Sequence, residues 1–380
     1  MSRVAIAGAG PVGLTAALVL ARRGVEVTVL EQGPGLAHES RASTFHPPTL
    51  EMLRDLGVVD ALLRKGLVAP TFHYRERGGD PVATLDLGVL AGDTDFPFRL
   101  QCEQSKLTPI LLDALPGSAR VRFGHTVDGV EAGTEGVRVS TSGGPVRCDW
   151  LIGADGAHSA VRRGIGAEFE GSTYPERFLV ASVDEQLDAA LPGIAPINYV
   201  FDPDEWLVLL RTPDHWRVLL PTPADTADDL ELRRLPERLA RVADLGRPWR
   251  IAHASLYHVH ERVAPRFRYG RVLLMGDAAH VNNPLGGLGM NSGIHDAVRM
   301  ASALADVLAG APDELLERAA LQRRRVAVDH VQRTSRANWT SLRTHDAEYR
   351  RGLRELAADR AATRVYLRRA CLMDSLEPTA

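Results

Sequence analysis

The chain has 380 residues, 45% of them apolar and 24% charged, with a formal net charge of −3; this is the make-up of a globular protein of one large or two ordinary domains. A charge so near zero excludes a global attraction to nucleic acid or anionic membrane, and no apolar run is long and unbroken enough to span a bilayer. Cys102, Cys148 and Cys371 form no C-x-x-C and no metal-ligand spacing, so no disulfide, no metal site and a reducing, cytoplasmic setting are expected.

Residues 1–31 read as a strand ("RVAIAG"), a glycine-rich turn, a helix ("LTAALVLARRG") ending at Gly24, and a strand ("VEVTVLE") ending in an acid. With only Arg3 ahead of it and glycines interrupting it, this start does not read as a signal peptide. Residues 48–66 carry an amphipathic helical pattern with a break at Gly57. An irregular stretch with short strands runs from Pro70 to Phe98, and residues 104–115 return to a helix. The alternation after Val121 predicts a β-meander that ends in the buried run "WLIGADG". Residues 176–260 differ in texture. Runs such as "FLVASVDEQ", "WLVLLRT" and "HWRVLLPTP" predict a second domain on an antiparallel sheet. Helices follow to the end. The Arg-rich tail interleaves its charges with Ala, Val, Leu and acids, and reads as a solvated helix face rather than a nucleic-acid surface.

Three glycine-bearing motifs stand at the ends of predicted strands. In "GAGPVG", Gly8 permits a tight turn, Gly10 lets a phosphate approach and Gly13 lets the helix sit close to the sheet. Pro11 and Val12 open that helix, and Glu31 with Gln32 ends the next strand, where an acid accepts hydrogen bonds from a ribose diol. An ordinary tight turn is the plainer alternative. In "DWLIGADGAHSAVRR", Asp155 and Gly156 end a strand and Arg162 follows; a capped helix start accounts for them equally well. In "RVLLMGDAAHVNNPLGGLGMNSGIHDA", Gly276 and Asp277 end a strand and a Pro- and Gly-rich bend opens a helix. Its amides suit an electron-rich ring edge, and a plain helix cap leaves the glycines unexplained.

Taken in order, these three motifs resemble those of the FAD-dependent aromatic hydroxylases, the single-component (group A) flavoprotein monooxygenases of the para-hydroxybenzoate hydroxylase type. "ESRASTFHPPTLEML" and "RLQCEQSKLTPILL" resemble that family's cofactor-contacting segments. The resemblance implies an α/β fold: a Rossmann-like FAD-binding domain (1–70, 96–175 and 261–345) interrupted by an antiparallel β-sheet substrate domain (71–95 and 176–260), with a C-terminal helical region (346–380). It implies that Gly8, Gly10, Gly13 and Glu31 hold the ADP half of FAD. Arg41 and Gln104 lie along the diphosphate–ribityl region, and Asp277 binds the ribityl chain. Pro284 sits beside the flavin ring, with Gly286, Gly289 and the Met290 and Asn291 amides around it. Asp155 and Arg162 support both FAD and a transient nicotinamide. The family often has Gln where this chain has Leu288, and two Asn precede Pro284.

The implied reaction takes NAD(P)H and O2 and hydroxylates a small phenol-like compound through a flavin C4a-hydroperoxide. Hydroxylation of a larger natural product, or a flavin-binding module without turnover, are the alternatives. Arg211 stands as a carboxylate anchor or an exposed hairpin residue, and His46 as a proton relay or a loop-structuring group. His73, Tyr199 and Tyr257 either line the substrate cavity or pack, and His280 reads as structural. No W-x-W-x-I-P run of a halogenase and no F-x-G-x-x-x-H run of a Baeyer–Villiger enzyme is present. Monomer and homodimer both remain open.

Overall fold

The computed structural model describes residues 3–38, 42–343 and 346–376, so Arg41 lies outside the described residues. Strand Arg3–Ala7 pairs in parallel with Glu26–Glu31 on one side and Trp150–Gly153 on the other, and Trp150–Gly153 pairs in parallel with Val272–Leu274. Ala119–Phe123 adds one parallel edge and Arg268–Tyr269 an antiparallel one, completing six strands. The central strands are continuous runs of Val, Ile, Leu and Ala buried on both faces, as parallel strands covered by helices are.

Helices Pro11–Arg22 and Leu288–Leu308 share that core. Their approach is close because glycine stands where they meet. A Cβ on Gly293 would come within 2.7 Å of a Val12 methyl and 3.1 Å of Gly276 Cα, nearer than packed carbons tolerate. The predicted helix at 48–66 forms as Pro47–Asp55 and Val59–Leu63, broken at Gly57 with φ +62°.

An eight-stranded sheet runs in the order His280–Val281, Ile251–Val263, Glu170–Val183, Trp216–Pro223, Leu207–Arg211, Ile197–Phe201, Thr71–Glu76 and Pro81–Asp86. Its pairings are antiparallel except that of Ile197–Phe201 with Thr71–Glu76, which is parallel and ties the early segment into the later sheet. Two strands are longer than the alternation predicts: Glu170–Val183 and Ile251–Val263 run past positions 176 and 260. Alternation along each strand divides the sheet into two apolar faces. The outer face (Leu179, Val200, Leu207, Leu209, Trp216) packs against helix Asp228–Val242. The sequence does not announce this helix, because Pro236 and a majority of charged residues obscure its buried stripe of Leu235, Leu239 and Val242. The inner face (Phe72, Tyr74, Phe178, Tyr199, Phe201, Val208) meets Leu353, Leu367 and Cys371 of the C-terminal segment. Helices Ala347–Ala358 and Arg360–Ala370 therefore close over the sheet. No helix among the described residues is long and apolar enough to cross a membrane.

Candidate active site

Ala7, Gly153 and Leu274 are register partners on three adjacent parallel strands, so the three glycine motifs leave the same sheet edge side by side. This is the carboxyl edge, where open α/β sheets bind ligands. Backbone bonds lock the loops together: Gly8 N–H donates to Leu30 O (2.8 Å), Ala154 N–H to Ala7 O (2.9 Å) and Met275 N–H to Gly153 O (2.9 Å). The first-motif glycines divide by function. Gly8, at φ +99°, could not carry a Cβ, which would sit 2.5 Å from Ala154 O, and a Cβ on Gly13 would overlap Gly8 O. Gly10 has no atom within 4 Å of a Cβ position. An open glycine at this point is what close approach of a phosphate to the backbone would require.

Helix Pro11–Arg22 starts at Gly10 with no side-chain cap and Pro11 in its first turn, so its N-terminal amides and partial positive charge face the loop. Glu31 orders the same loop by accepting from Ala9 N–H (2.8 Å) and Gly33 N–H (2.9 Å), one bond per oxygen, which leaves each a lone pair. Gln32 beside it is exposed, and Gln104, partly exposed, opens the helix Gln104–Asp113 with its N–H on Ala42 O (2.9 Å).

The second motif is held from within. Asp155 accepts from the Ser159 hydroxyl (2.6 Å) and Val161 N–H (3.1 Å), beyond a turn at Gly156 with φ +80°. The Arg162 guanidinium donates to Ala278 O and Ala157 O (2.8 Å each) and lies 3.7 Å over the Phe169 ring. Arg162 thus splices the second loop to the third. In the third motif Gly276 takes φ +57°, and Asp277 is the one exposed residue in the otherwise buried stretch 272–281. Beneath it the buried Asp296 accepts from Gly276 N–H (3.1 Å) and from Arg323 Nε (2.7 Å), and His280 Nε2 lies 2.9 Å away. Burial pushes the Asp296 carboxyl up, yet Arg323 and His280 hold it below the usual carboxylate value. His280 is structural, as its sequence context implies.

Gly286 and Gly287 both take positive φ (+99° and +68°) before helix Leu288–Leu308, which has no side-chain cap. Pro284, Gly287 and Gly289 remain partly accessible, while Met290 and Asn291 are buried. The Asn291 side chain is fully used: it accepts from His46 N–H (2.9 Å) and the Thr49 hydroxyl (2.6 Å), and donates to Thr44 O (2.8 Å) and Gly287 O (2.6 Å). No side-chain group of Asn291 is left for a ligand. Leu288 departs from the family's Gln because it packs, fully buried, with Val326, Val331 and Leu372.

An uncapped helix start behind an open Gly10, an acid ordering the second strand's end, a lone accessible acid in a buried stretch and a second uncapped helix start fit one extended dinucleotide. Residues 1–334 match the family model of the FAD binding domain. The para-nitrophenol 4-monooxygenase of Pseudomonas sp. (strain WBC-3) is 36% identical over 382 residues, 96% of this chain and 94% of the relative. The chain is an FAD-dependent aromatic monooxygenase. NAD(P)H and O2 are the co-substrates general to that family. The 6-hydroxy-3-succinoylpyridine 3-monooxygenase of Pseudomonas putida (strain DSM 28022 / S16) is 34% identical, covering 90% of this chain and 88% of its own. The crystal structure of p-nitrophenol 4-monooxygenase from Pseudomonas putida DLL-E4 superposes with a TM-score of 0.91 at 34% identity, covering 97% of both chains.

In this monooxygenase the strand Thr44–Phe45 pairs antiparallel with Arg99–Gln101, Phe45 facing Leu100, so His46 comes opposite Arg99. His46 is fully buried. Its Nε2 lies 2.8 Å from Gly286 O, an acceptor only, which assigns the proton to Nε2 and leaves Nδ1 a bare acceptor without a partner. Burial and the nearby Arg99 guanidinium lower its pKa to about 3, so it stays neutral. It is a hydrogen-bond acceptor and a brace of the bend, and too weak a base to hold a proton at neutral pH.

Tyr199 and Tyr257 project to the inner face. Tyr199 stacks on Tyr74 at 5.2 Å and meets Phe72 edge-on at 6.0 Å; Tyr257 meets Phe178 edge-on at 6.2 Å. Two expectations need correction. His73 lies between Phe72 and Tyr74 on its strand and so points to the opposite, outer face. Arg211 falls in phase with Leu207 and Leu209 on the outer face, where its guanidinium lies 5.9 Å over Trp216. A one-residue phase error exchanges the faces. The arginine in phase with the inner face on the neighbouring strand is Arg217, whose Nη1 donates to Ser43 Oγ (3.4 Å). Arg99 was also passed over. An arginine inside the buried run "FRLQC" is the sequence signal that would have found it.

Proposed function

We propose that the monooxygenase hydroxylates a small, singly ringed phenol held between the Pro284–Gly287 bend and the inner face of the large sheet. The carrying observation is the closure of that face by the C-terminal helices: Tyr366 and Tyr74 share a hydroxyl–hydroxyl contact of 3.0 Å, and Leu367 and Cys371 are fully buried against the same cluster. The aromatic lining suits a flat ring, and the closure limits its size. FAD, held along the sheet edge by Gly8, Gly10, Gly13, Glu31, Gln104 and Asp277 and reduced by a nicotinamide, supplies the oxygen-activating chemistry.

The protein's part is to bind, orient and keep dry. Pro284 and the Gly286–Gly287 turns present backbone to the cofactor, and the Met290 and Asn291 amides offer donors at the helix start. His46 Nδ1 offers a bare acceptor at the bend, matched to a hydroxyl donor. Buried Tyr74 and Tyr366 are pushed up, the latter to about 12, by loss of solvent, so their hydroxyls stay protonated and polarise the cavity without charging it. Exclusion of water from such a site protects the oxygen transfer from futile turnover.

The test is a screen of nitrophenols, hydroxybenzoates, hydroxypyridines and fused-ring phenols for stimulated NAD(P)H consumption, with mass detection of a one-oxygen gain. Single-ring phenols are expected to respond. A response confined to fused-ring compounds would replace this reading with that of a natural-product hydroxylase, and no response from any would leave a binding module.

A further inference from the structure

Arg99 is 2% exposed and forms no ion pair with any carboxylate among the described residues. Its guanidinium lies 4.4 Å over the Phe72 ring, and its Nε has no hydrogen-bond partner. Burial works against its charge; the groups that act on it besides are Cys371, with which it shares a side-chain hydrogen bond, Tyr199 and Tyr366. None is an anion: burial raises the Cys371 thiol, and Tyr366 is pushed up to about 12. His46, opposite in strand register, feels the Arg99 charge and is held neutral.

A permanent cation is thus enclosed by aromatic rings, a thiol and a neutral imidazole. A buried charge without a counter-charge is strongly disfavoured unless something supplies one. Cation–π contact with Phe72 offsets part of this cost, and the rest is left for a ligand. A guanidinium presents paired N–H donors in a plane, which suits an oxyanion on a flat ring better than any other class of ligand.

We propose that Arg99 is the anion anchor of the aromatic cavity, and that it holds the ring substrate in ionised form through its phenolate oxygen. This rests on the phenol reading above and adds to it which species binds and which residue selects it. An ionised oxygen enriches the ring in electrons before any oxygen arrives, so Arg99 sets specificity for acidic phenols over their ethers. Being close to His46, it also helps keep that imidazole neutral, and the cavity's positive charge stays on a group that cannot lose it.

The test uses the FAD-loaded enzyme with 4-nitrophenol and its non-ionisable ether, 4-nitroanisole. The ligand's own absorption spectrum reports whether the bound phenol is ionised. Wild type is expected to bind 4-nitrophenol more tightly than the ether and to lower its apparent pKa. Arg99→Gln should weaken 4-nitrophenol binding roughly 10–100-fold, the scale of a lost charge-assisted bond. It should change ether binding less than about 3-fold and raise the bound phenol's pKa, and Arg99→Lys should recover part of both. Equal weakening of both ligands, or a bound pKa indifferent to residue 99, overturns the proposal and assigns Arg99 to packing. Should Arg99→Gln fail to fold, wild type decides alone: a phenol that binds no better than its ether, or ionises no more readily bound than free, overturns it. An Arg99-dependent ionisation without oxygen insertion would sink the hydroxylase reading and leave the anchor. Hydroxylation with an Arg99-independent ionisation would do the reverse.

Discussion

His46 and Asn291, 245 positions apart in the chain, are joined by a 2.9 Å hydrogen bond from the His46 backbone to the Asn291 side chain. The same amide bonds Thr49, Thr44 and Gly287, so one buried side chain ties the start of the long helix to the segment that carries the bare imidazole. Its bond to Gly287 O fixes the helix end of the bend beside Pro284.

Replacing Asn291 with Ala removes four buried hydrogen bonds at once; of the groups it served, the Thr49 hydroxyl keeps a partner in His295 Nε2 (2.9 Å). The expected loss is about 3 kcal/mol or more of folding stability, from the price of unsatisfied buried groups, and weaker FAD retention as the bend loosens. Urea denaturation of the apoprotein and release of yellow colour on gel filtration measure the two effects. A stable, fully yellow variant would show that the clamp is dispensable.

Gly10 and Gly13, three residues apart, are expected to respond differently. Gly13→Ala forces a methyl group into the Gly8 carbonyl, so the fold should lose roughly 2–4 kcal/mol or fail to form. The Cβ that Gly10→Val adds has no protein atom within 4 Å. It should leave the apoprotein's denaturation midpoint within about 0.5 kcal/mol of wild type while cutting FAD affinity by at least ~10-fold, because the side chain occupies the phosphate's approach. A Gly10→Val protein that keeps its flavin would remove the first motif from the binding site.

Acid should destabilise the fold through His46. The unfolded chain protonates this histidine near pH ~6.5, whereas burial and Arg99 hold the folded value at about 3. Its contribution is therefore whole above pH ~6.5 and drains away as pH falls toward 3. Near pH ~4.5 the loss is roughly 2–3 kcal/mol by proton linkage. His295, whose pKa burial also lowers, acts with the same sign. Urea midpoints of wild type and His46→Gln, taken near pH ~7 and ~4.5, isolate the His46 share: the variant should lose less on acidification. Parallel losses in the two proteins would contradict the assignment.

Arg211→Ala should leave 4-nitrophenol affinity within about twofold of wild type, since the side chain lies over Trp216 on the sheet's outer face. Direct titration of the FAD-loaded enzyme measures this. A loss of 10-fold or more would mean that the face assignment is wrong.

What lay in the sequence was local. The turn at Gly8, the acid closing the strand at Glu31, the break at Gly57 and the order of the three motifs each follow from a few neighbouring residues and their backbone preferences, and those are enough to single out one sheet edge as the candidate for the cofactor. The tertiary structure decided which side chains meet. Arg211 and His73, cavity candidates in the sequence, lie on the opposite face, because in a strand one residue's shift of phase reverses direction. Arg99 looked like one more arginine in a chain of many. Its lack of a counter-charge exists only once Phe72, Tyr199, Tyr366 and Cys371, from three distant segments, have folded around it. Chain chemistry sets backbone conformation from residue to residue; burial and pairing of charge depend on neighbours that only the closed fold supplies.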